Sequence, residues 1–310
     1  MEQKKQLRKP YFTALLSISC CVLYILFLNY HTSLDAKTVY SQFGAPYAIQ
    51  IYQGQYWGVF TNSFLHTNLY HLIINLSALW IMGAFIERRI GIFNFVLLGL
   101  YASIVTSIAQ LTLSDDAGIG LTGVNYFFLA YIFVKSLSDE RFNLRAKYMY
   151  LAVAIFGILF AYYLNSSKFF NIGIEAMIAG IAYGAFTALT TLSEKKWAPV
   201  VFSILILMSS SITLFFSPWS AEWNYFKGYS AHEKGNYKEA KEFYVRAIEI
   251  DPGHKTSLEN LKYISIDEIS DMALEAHKEE NYLLARKLYE RVLKLDPSNQ
   301  WAKENMAKLP

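Results

Sequence analysis

The sequence predicts an all-α protein in which a bundle of membrane-spanning helices precedes a polar helical repeat region. Hydrophobic residues make up 54% of the 310 residues, and between residues 11 and 216 they fall into apolar blocks. Each block has about 20 residues, which an α-helix needs to cross the hydrocarbon core. Inside lipid the backbone must bond to itself, so the blocks are predicted to be helices. From residue 220 onward the chain is rich in Lys and Glu and repeats one pattern of Tyr, Ala and Pro.

Seven blocks are predicted to span the membrane. We place the spans at 11–30, 66–86, 92–113, 118–134, 148–165, 171–192 and 198–216. Residues 1–10 precede the membrane domain of residues 11–216, and residues 220–310 form a separate helical domain. The first block is long enough to span and lacks a small-residue cleavage site, so we expect no cleavable signal peptide.

Basic residues in the short loops predict the orientation of the bundle, because Lys and Arg concentrate on the cytoplasmic side. One side carries Lys4, Lys5, Arg8, Lys9, Arg88, Arg89, Lys135, Arg141, Arg145, Lys147, Lys195 and Lys196. The other side carries Lys37 and Lys168. We therefore expect the N-terminus in the cytoplasm. After an odd number of spans, the tail is expected outside the cell or in a periplasm.

Composition argues against several classes of function. The net charge of +3 is spread over loops and tail, so we expect no nucleic-acid partner. The only cysteines, Cys20 and Cys21, are adjacent within an apolar block and are expected to pack or to face lipid. The sequence has no metal-ligand cluster and no nucleotide-binding loop, so we expect no metal and no cofactor.

Polar residues within the second span are candidates for a functional site. His71 and Asn75 are four residues apart and therefore share one helix face. Polar side chains inside a span are costly and usually face the protein interior or a water-filled cavity. The spacing alone leaves two interpretations open, which are hydrogen bonding between helices and a functional site.

Five segments, in this order and spacing, resemble the rhomboid family of intramembrane proteases over roughly residues 50 to 192. They are Thr61–His66, His71–Asn75, Gly83–Gly91, Gly120–Tyr126 and Ala176–Gly184. The aromatic connection at residues 31–65 matches the first loop of that family, and we expect it to lie partly in the membrane interface. The resemblance implies a six-helix rhomboid core with an added seventh span.

The resemblance also implies a role for each matching residue. In the family, the serine of a Gly-x-Ser-Gly motif attacks the scissile carbonyl, and a histidine on the sixth span is the general base. Thr122 stands at the nucleophile position and Met177 at the base position, while His71 and Asn75 match the pair that binds the oxyanion. Supporting positions are Gly120 and Gly123 of the motif, Tyr126 beside the base, the packing glycines Gly180 and Gly184, and the structural pair Glu87 and Arg89.

The two changed positions predict a site that does not cut. A hydroxyl is a poor nucleophile without a base, and a base contributes about 10² to 10⁴ in rate. The thioether of Met177 cannot take up a proton. No histidine lies on the sixth span, and His71 would have to leave the oxyanion role to act as base. Glu175, two residues from Met177, points largely away from that face. We therefore expect no proton acceptor beside the Thr122 hydroxyl.

The polar tail resembles the tetratricopeptide repeat, a helix–turn–helix unit of about 34 residues. Tyr237, Ala240, Tyr244, Ala247 and Pro252 recur at the same spacing as Tyr282, Ala285, Tyr289, Val292 and Pro297. About 11 extra residues, near 255–265, separate the two units, and residues 299–308 are expected to cap the stack. Such stacks form a groove for proteins or peptides. The alternative is a stabilising appendage without a ligand.

Three functions remain open at this point. The first is a rhomboid-like pseudoprotease that binds transmembrane client proteins without cleaving them, with repeats that contact proteins or peptides. The second is an intramembrane endopeptidase with a threonine nucleophile, and the third is a membrane-anchored repeat scaffold. Each implies a multi-pass integral membrane protein in contact with the lipid bilayer. Seven-span rhomboids with outer repeats occur in Gram-positive bacteria, so the resemblance implies a bacterial cell membrane.

Overall fold

A computed structural model describes residues 9–30, 36–142, 147–166, 172–192, 195 and 197–310, and all regular structure within these ranges is helical. The chain divides into two compact units, with the boundary between Ser217 and Pro218. Several basic residues that predict the orientation lie outside the described residues, namely Lys4, Lys5, Arg8, Arg145, Lys168 and Lys196.

Besides three short 3-10 turns, the first unit contains ten α-helices within the described ranges. They are α1 (Tyr11–Tyr30), α2 (Ala36–Gln42), α3 (Ala48–Tyr52), α4 (Gly58–Thr61), α5 (Leu69–Ile90), α6 (Ile92–Ser114), α7 (Thr122–Lys135), α8 (Lys147–Ser166), α9 (Ile174–Thr190) and α10 (Ala198–Ser211). By length and composition, α1, α5, α6 and most of α8 could cross a membrane. The apolar helices α9 and α10 are shorter, and α7 has 14 residues. The number of spans stays a prediction.

Helices α5 and α7 begin later than the predicted spans 66–86 and 118–134, and local backbone chemistry explains both differences. The side chain of Asn68 accepts a hydrogen bond from the backbone N–H of His71 at 2.8 Å, so α5 begins at Leu69 and leaves His66 outside the helix. Gly118 and Gly120 have φ values of 71° and 86°. This left-handed backbone cannot continue a right-handed helix, and α7 therefore begins at Thr122.

Helix α7 lies at the centre of the first unit and packs closely against α9. A methyl group at Gly180 would overlap the carbonyl oxygen of Gly123, and one at Gly184 would overlap the carbonyl oxygen of Phe127. Glycines at these two positions therefore allow the two backbones to approach each other directly. This contact places the first turn of α9 beside the first turn of α7.

Glu87 and Arg89 hold two different segments at one end of α5. The buried Glu87 carboxylate accepts hydrogen bonds from the backbone N–H of Phe12 at 2.9 Å and from the N–H and hydroxyl of Thr13 at 2.8 and 2.7 Å. A carboxylate at the start of α1 also interacts favourably with the helix dipole. Arg89 donates instead to the carbonyl oxygens of Phe85 and Arg141. Within the described ranges, these two residues do not pair with each other.

A short charged cluster follows α7. Asp139 pairs with Lys135 at 3.0 Å and with Arg141 at 2.8 Å. Hydrogen bonds from Arg141, and then from Lys135, hold the pKa of the Asp139 carboxyl below its ordinary value. The Lys135 side chain is only 7% exposed, so Asp139 neutralises a nearly buried ammonium group.

The segment between α1 and α5 forms the short helices α2, α3 and α4. The rings of Tyr40 and Phe43 pack edge-on against Phe27 of α1. The Ser63 hydroxyl lies 2.6 Å from that of Ser103 on α6. These contacts anchor the segment beside the start of α5, while its position relative to a membrane surface stays a prediction.

The second unit contains five helices, α11 (Ala221–His232), α12 (Tyr237–Ile250), α13 (Lys255–Lys278), α14 (Tyr282–Leu295) and α15 (Gln300–Met306). The extra residues predicted near 255–265 form the first turns of the long helix α13. These turns pack on the first hairpin, where Ile264 and Tyr244 share one apolar cluster. Its later turns place Ala273 with Tyr289 in another cluster. An α-helix rises 1.5 Å per residue, so the roughly 11 extra residues place the second hairpin about 16 Å further along α13 than in two directly consecutive repeats.

Candidate functional site

The hydroxyl of Thr122 lies at the junction of α5 and α7, where three polar atoms surround it. His71 Nε2 is 3.2 Å from Thr122 Oγ1. The side-chain nitrogen and oxygen of Asn75 are each 3.3 Å from the same atom. The structure therefore brings together the nucleophile position and both members of the oxyanion pair.

Backbone geometry explains why these side chains meet. The Asn68 cap fixes the first turn of α5, and His71 and Asn75 then face α7 one helical turn apart. On the other side, the N–H of Gly120 donates to the carbonyl oxygen of Asn62 at 2.9 Å. A methyl group at Gly120 would lie 2.6 Å from His71 Cε1. A residue without a side chain is therefore required for the imidazole to reach the hydroxyl.

The expectation that no proton acceptor lies beside Thr122 is wrong, because the imidazole of His71 is within hydrogen-bonding distance. The family resemblance implies a base on the sixth span and an oxyanion role for His71, so it does not predict this contact. The packing of α5 against α7 places one nitrogen where it serves either role. The hydrogen-bonding direction depends on the tautomer of His71.

Met177 lies three residues before Gly180 and seven before Gly184, so it shares the face of α9 that packs against α7. It is 3% exposed, and its neighbour Ala176 has its Cβ 3.1 Å from where a Cβ on Gly123 would lie. The position predicted to correspond to the family's base therefore holds a buried thioether, which is at most a weak hydrogen-bond acceptor. Glu175 lies in the first turn of α9.

Tyr126 lies one turn beyond Thr122 on α7 and contacts two helices. Its Cβ is close to Gly180 on α9, and its hydroxyl lies against Gly157 on α8, where no side chain would fit. The expected role of Tyr126 beside the base position stays a prediction.

The sequence predicts no role for two polar residues of the site. Asn125, 4% exposed, donates from its side-chain nitrogen to the Oδ1 of Asn75 at 2.9 Å and to its backbone oxygen at 3.1 Å. The fully buried His66 contacts the Phe64 carbonyl oxygen through Nδ1 at 3.2 Å, and its ring lies 5.0 Å from that of His71. An asparagine one turn from Thr122 in an apolar helix was a usable signal.

The described residues include no group of three or more His, Cys, Asp or Glu side chains placed to hold a metal ion. The chemistry that this arrangement offers is that of a hydroxyl, an imidazole and two carboxamides. Such groups donate to a carbonyl oxygen or accept a proton.

Comparisons with known proteins identify both parts of the chain. The rhomboid domain family matches residues 53–194, and the tetratricopeptide repeat family matches residues 221–254. The chain is 30% identical over 182 residues to rhomboid protease GluP of Bacillus subtilis (strain 168), covering 58% of this chain and 34% of the relative. It is 25% identical over 189 residues to rhomboid protease GlpG of Salmonella paratyphi A (strain ATCC 9150 / SARB42). That alignment covers 59% of this chain and 64% of the relative.

The matches agree with the positions of the structural features. The rhomboid match includes α5, α7 and α9, which carry His71, Thr122 and Met177, and the repeat match covers the first hairpin of the second unit. The chain spans less than two thirds of the length of each relative. The chain therefore contains a rhomboid domain at residues 53–194 and a tetratricopeptide repeat region near its C-terminal end, and the apolar helices together with these relatives indicate an integral membrane protein.

Proposed function

We propose that this protein is a pseudoprotease, which binds transmembrane segments of other proteins at the Thr122 site without cleaving them. One observation carries the proposal. Within the described residues, the imidazole of His71 is the one titratable group that hydrogen-bonds to the Thr122 hydroxyl, and it approaches from the side of Asn75. On α9, Met177 is buried and carries no titratable group.

Acyl transfer by a hydroxyl needs two functions that His71 cannot perform at once. As a base, Nε2 must accept the proton of Thr122, whereas as an oxyanion ligand it must donate one. A missing base costs about 10² to 10⁴ in rate, and a missing oxyanion donor costs about 10² to 10³. In either state the site therefore lacks the His71 contribution to one of these functions. Its carboxamides remain able to bind a backbone carbonyl of a client helix.

The second candidate is an endopeptidase in which Thr122 attacks and His71 takes its proton. The 3.2 Å distance between these two side chains specifically favours it. Threonine serves as a nucleophile where a base lies beside it. Its β-methyl group restricts χ1 and would make the attack geometry harder to reach.

A reporter helix expressed in the same membrane distinguishes the two candidates. Under our proposal, the native chain leaves the reporter intact, and cleavage begins when Thr122→Ser is combined with Met177→His. Cleavage by the native chain that stops in both Thr122→Ala and His71→Phe would contradict the proposal and establish the second candidate.

Client binding has its own test, which uses a photo-crosslinking amino acid at one position in each unit. Tyr70, next to His71, is 75% exposed, and Leu283 in the repeat region is 70% exposed. Our proposal expects transmembrane proteins to crosslink at position 70. Crosslinks at position 283 alone would favour a membrane-anchored repeat scaffold.

We further propose a cytoplasmic N-terminus, a repeat region outside the cell or in a periplasm, and a bacterial cell membrane as the location. The unequal distribution of Lys and Arg supports the orientation, and the repeat region supports contacts with proteins or peptides there. A membrane-impermeant thiol reagent tests the orientation. It should label Ser298→Cys on intact cells, and protection of that cysteine until lysis would contradict the proposal.

A further inference from the structure

We infer that Asn125 is a positioning residue that sets the direction of the hydrogen bonds around Thr122, and thereby directs the Thr122 proton towards His71. Three hydrogen bonds form the path, and two backbone carbonyls fix their direction. The inference concerns the state of the site before any client binds, so it holds whether or not the site cuts.

The orientation of the Asn125 amide follows from its partner. Its Nδ2 lies 3.1 Å from the backbone oxygen of Asn75. A backbone carbonyl only accepts hydrogen bonds, so the nitrogen, and not the oxygen, of the Asn125 amide must face it. The same nitrogen then donates to Asn75 Oδ1 at 2.9 Å. Asn125 thus directs both of its N–H groups at Asn75.

The orientation of the Asn75 amide is fixed in the same way. Its Nδ2 lies 3.0 Å from the carbonyl oxygen of His71, which also only accepts. The second hydrogen of this nitrogen is available to Thr122 Oγ1 at 3.3 Å. Asn75 Oδ1 is also 3.3 Å from Thr122 Oγ1, but it already accepts the shorter hydrogen bond from Asn125 at 2.9 Å and therefore competes less well for the Thr122 proton. The Asn75 side chain therefore acts towards Thr122 as a donor.

These hydrogen bonds determine which ring nitrogen of His71 carries the proton. When Thr122 Oγ1 accepts from Asn75, its own proton points away from that amide, and His71 Nε2 is the acceptor in reach at 3.2 Å. Nε2 must then be unprotonated, with the ring proton on Nδ1. Free neutral imidazole in histidine favours the opposite tautomer, so the environment must impose this one. Asn125 is also one helical turn from Thr122 and hence on the same face of α7.

Nitrogen-15 NMR of the full-length protein, with labelled histidine and in lipid, tests this inference. The signals of His71 are those that disappear in His71→Gln. We expect an unprotonated Nε2 in the native protein at neutral pH. Asn125→Leu, which has the same number and branching of side-chain heavy atoms but no donor, should lose that signal as Nε2 becomes protonated. Asn125→Ala serves the same purpose where leucine prevents folding.

Thr106→Val is the matched control. The Thr106 side chain is buried against Gly123, and its hydroxyl bonds to Ala102 and Ser103 in its own helix. The control changes a neighbouring polar side chain outside the path and should keep the native His71 signals. A protonated Nε2 in the native protein would overturn the inference. An unchanged tautomer in both Asn125 variants, or the same loss in Thr106→Val, would do so as well.

Discussion

The close approach of α7 and α9 can be tested by comparing the same substitution at two glycines. Gly180 faces α7, and a Cβ there would lie 2.9 Å from the backbone nitrogen of Phe127 and closer still to the carbonyl oxygen of Gly123. Backbone atoms cannot rotate away, so α9 must move. At Gly99 on α6, the nearest atom to an added Cβ is Phe128 Cζ, at an ordinary 3.9 Å.

The two alanine substitutions should change the stability of the first unit in opposite directions. Alanine favours a helix interior over glycine by about 1 kcal/mol, and overpacking costs about 1–3 kcal/mol. Gly99→Ala should therefore stabilise the first unit by up to about 1 kcal/mol. Gly180→Ala should destabilise it by as much as about 2 kcal/mol. At roughly 2–4 °C per kcal/mol for a unit of this size, the two midpoints should differ by several degrees.

A thiol-labelling assay reports on the first unit alone. The only two cysteines of the chain, Cys20 and Cys21, both lie in α1, and Cys20 is fully buried. In a Cys21→Ser background, a thiol-reactive dye should label Cys20 only when this unit opens during heating. A Gly180→Ala midpoint at or above that of Gly99→Ala would refute the direct backbone contact between α7 and α9.

Four further substitutions test the site and its supports in the same thiol assay. Gly120→Ala places a methyl group against His71 and an alanine in left-handed backbone, so we expect a loss of about 1–3 kcal/mol. Glu87→Gln should cost about 3 kcal/mol by disrupting the charged cap of α1, whereas Thr13→Val, which removes one of its hydrogen bonds, should cost about 1 kcal/mol. Asp139→Asn should cost roughly 1 kcal/mol at neutral pH. Since the folded carboxyl has a pKa below its ordinary value of about 3.9, that contribution is full above pH 4 and is lost as the pH falls through the folded pKa. Equal losses of stability in Glu87→Gln and Thr13→Val would contradict the role given to the Glu87 carboxylate. A loss of stability in Asp139→Asn that increases as the pH falls would contradict the role given to Asp139.

The helical class and the two-part organisation of the chain could be predicted from the sequence, because they depend on local patterns. The apolar blocks are long enough to span, and the rhomboid and repeat motifs have recognisable spacing. The helix starts at Leu69 and Thr122 were harder to predict from the sequence. They depend on the cap formed by Asn68 and on positive φ at Gly118 and Gly120. Neither feature can be recognised from the hydropathy of the sequence, on which the predicted spans were based.

The sequence by itself determined which residues are available to a site, and the predicted correspondence of Thr122 and Met177 to catalytic positions rests on motif spacing alone. Only the tertiary structure decided which of them touch. His71 and Thr122 are 51 residues apart in the chain, and their side chains meet because α5 and α7 pack side by side with a glycine at position 120. Asn125 acquires its partners in the same way. Sequence spacing specifies one face of one helix, whereas a hydrogen bond between helices depends on the distance and rotation that packing sets for both.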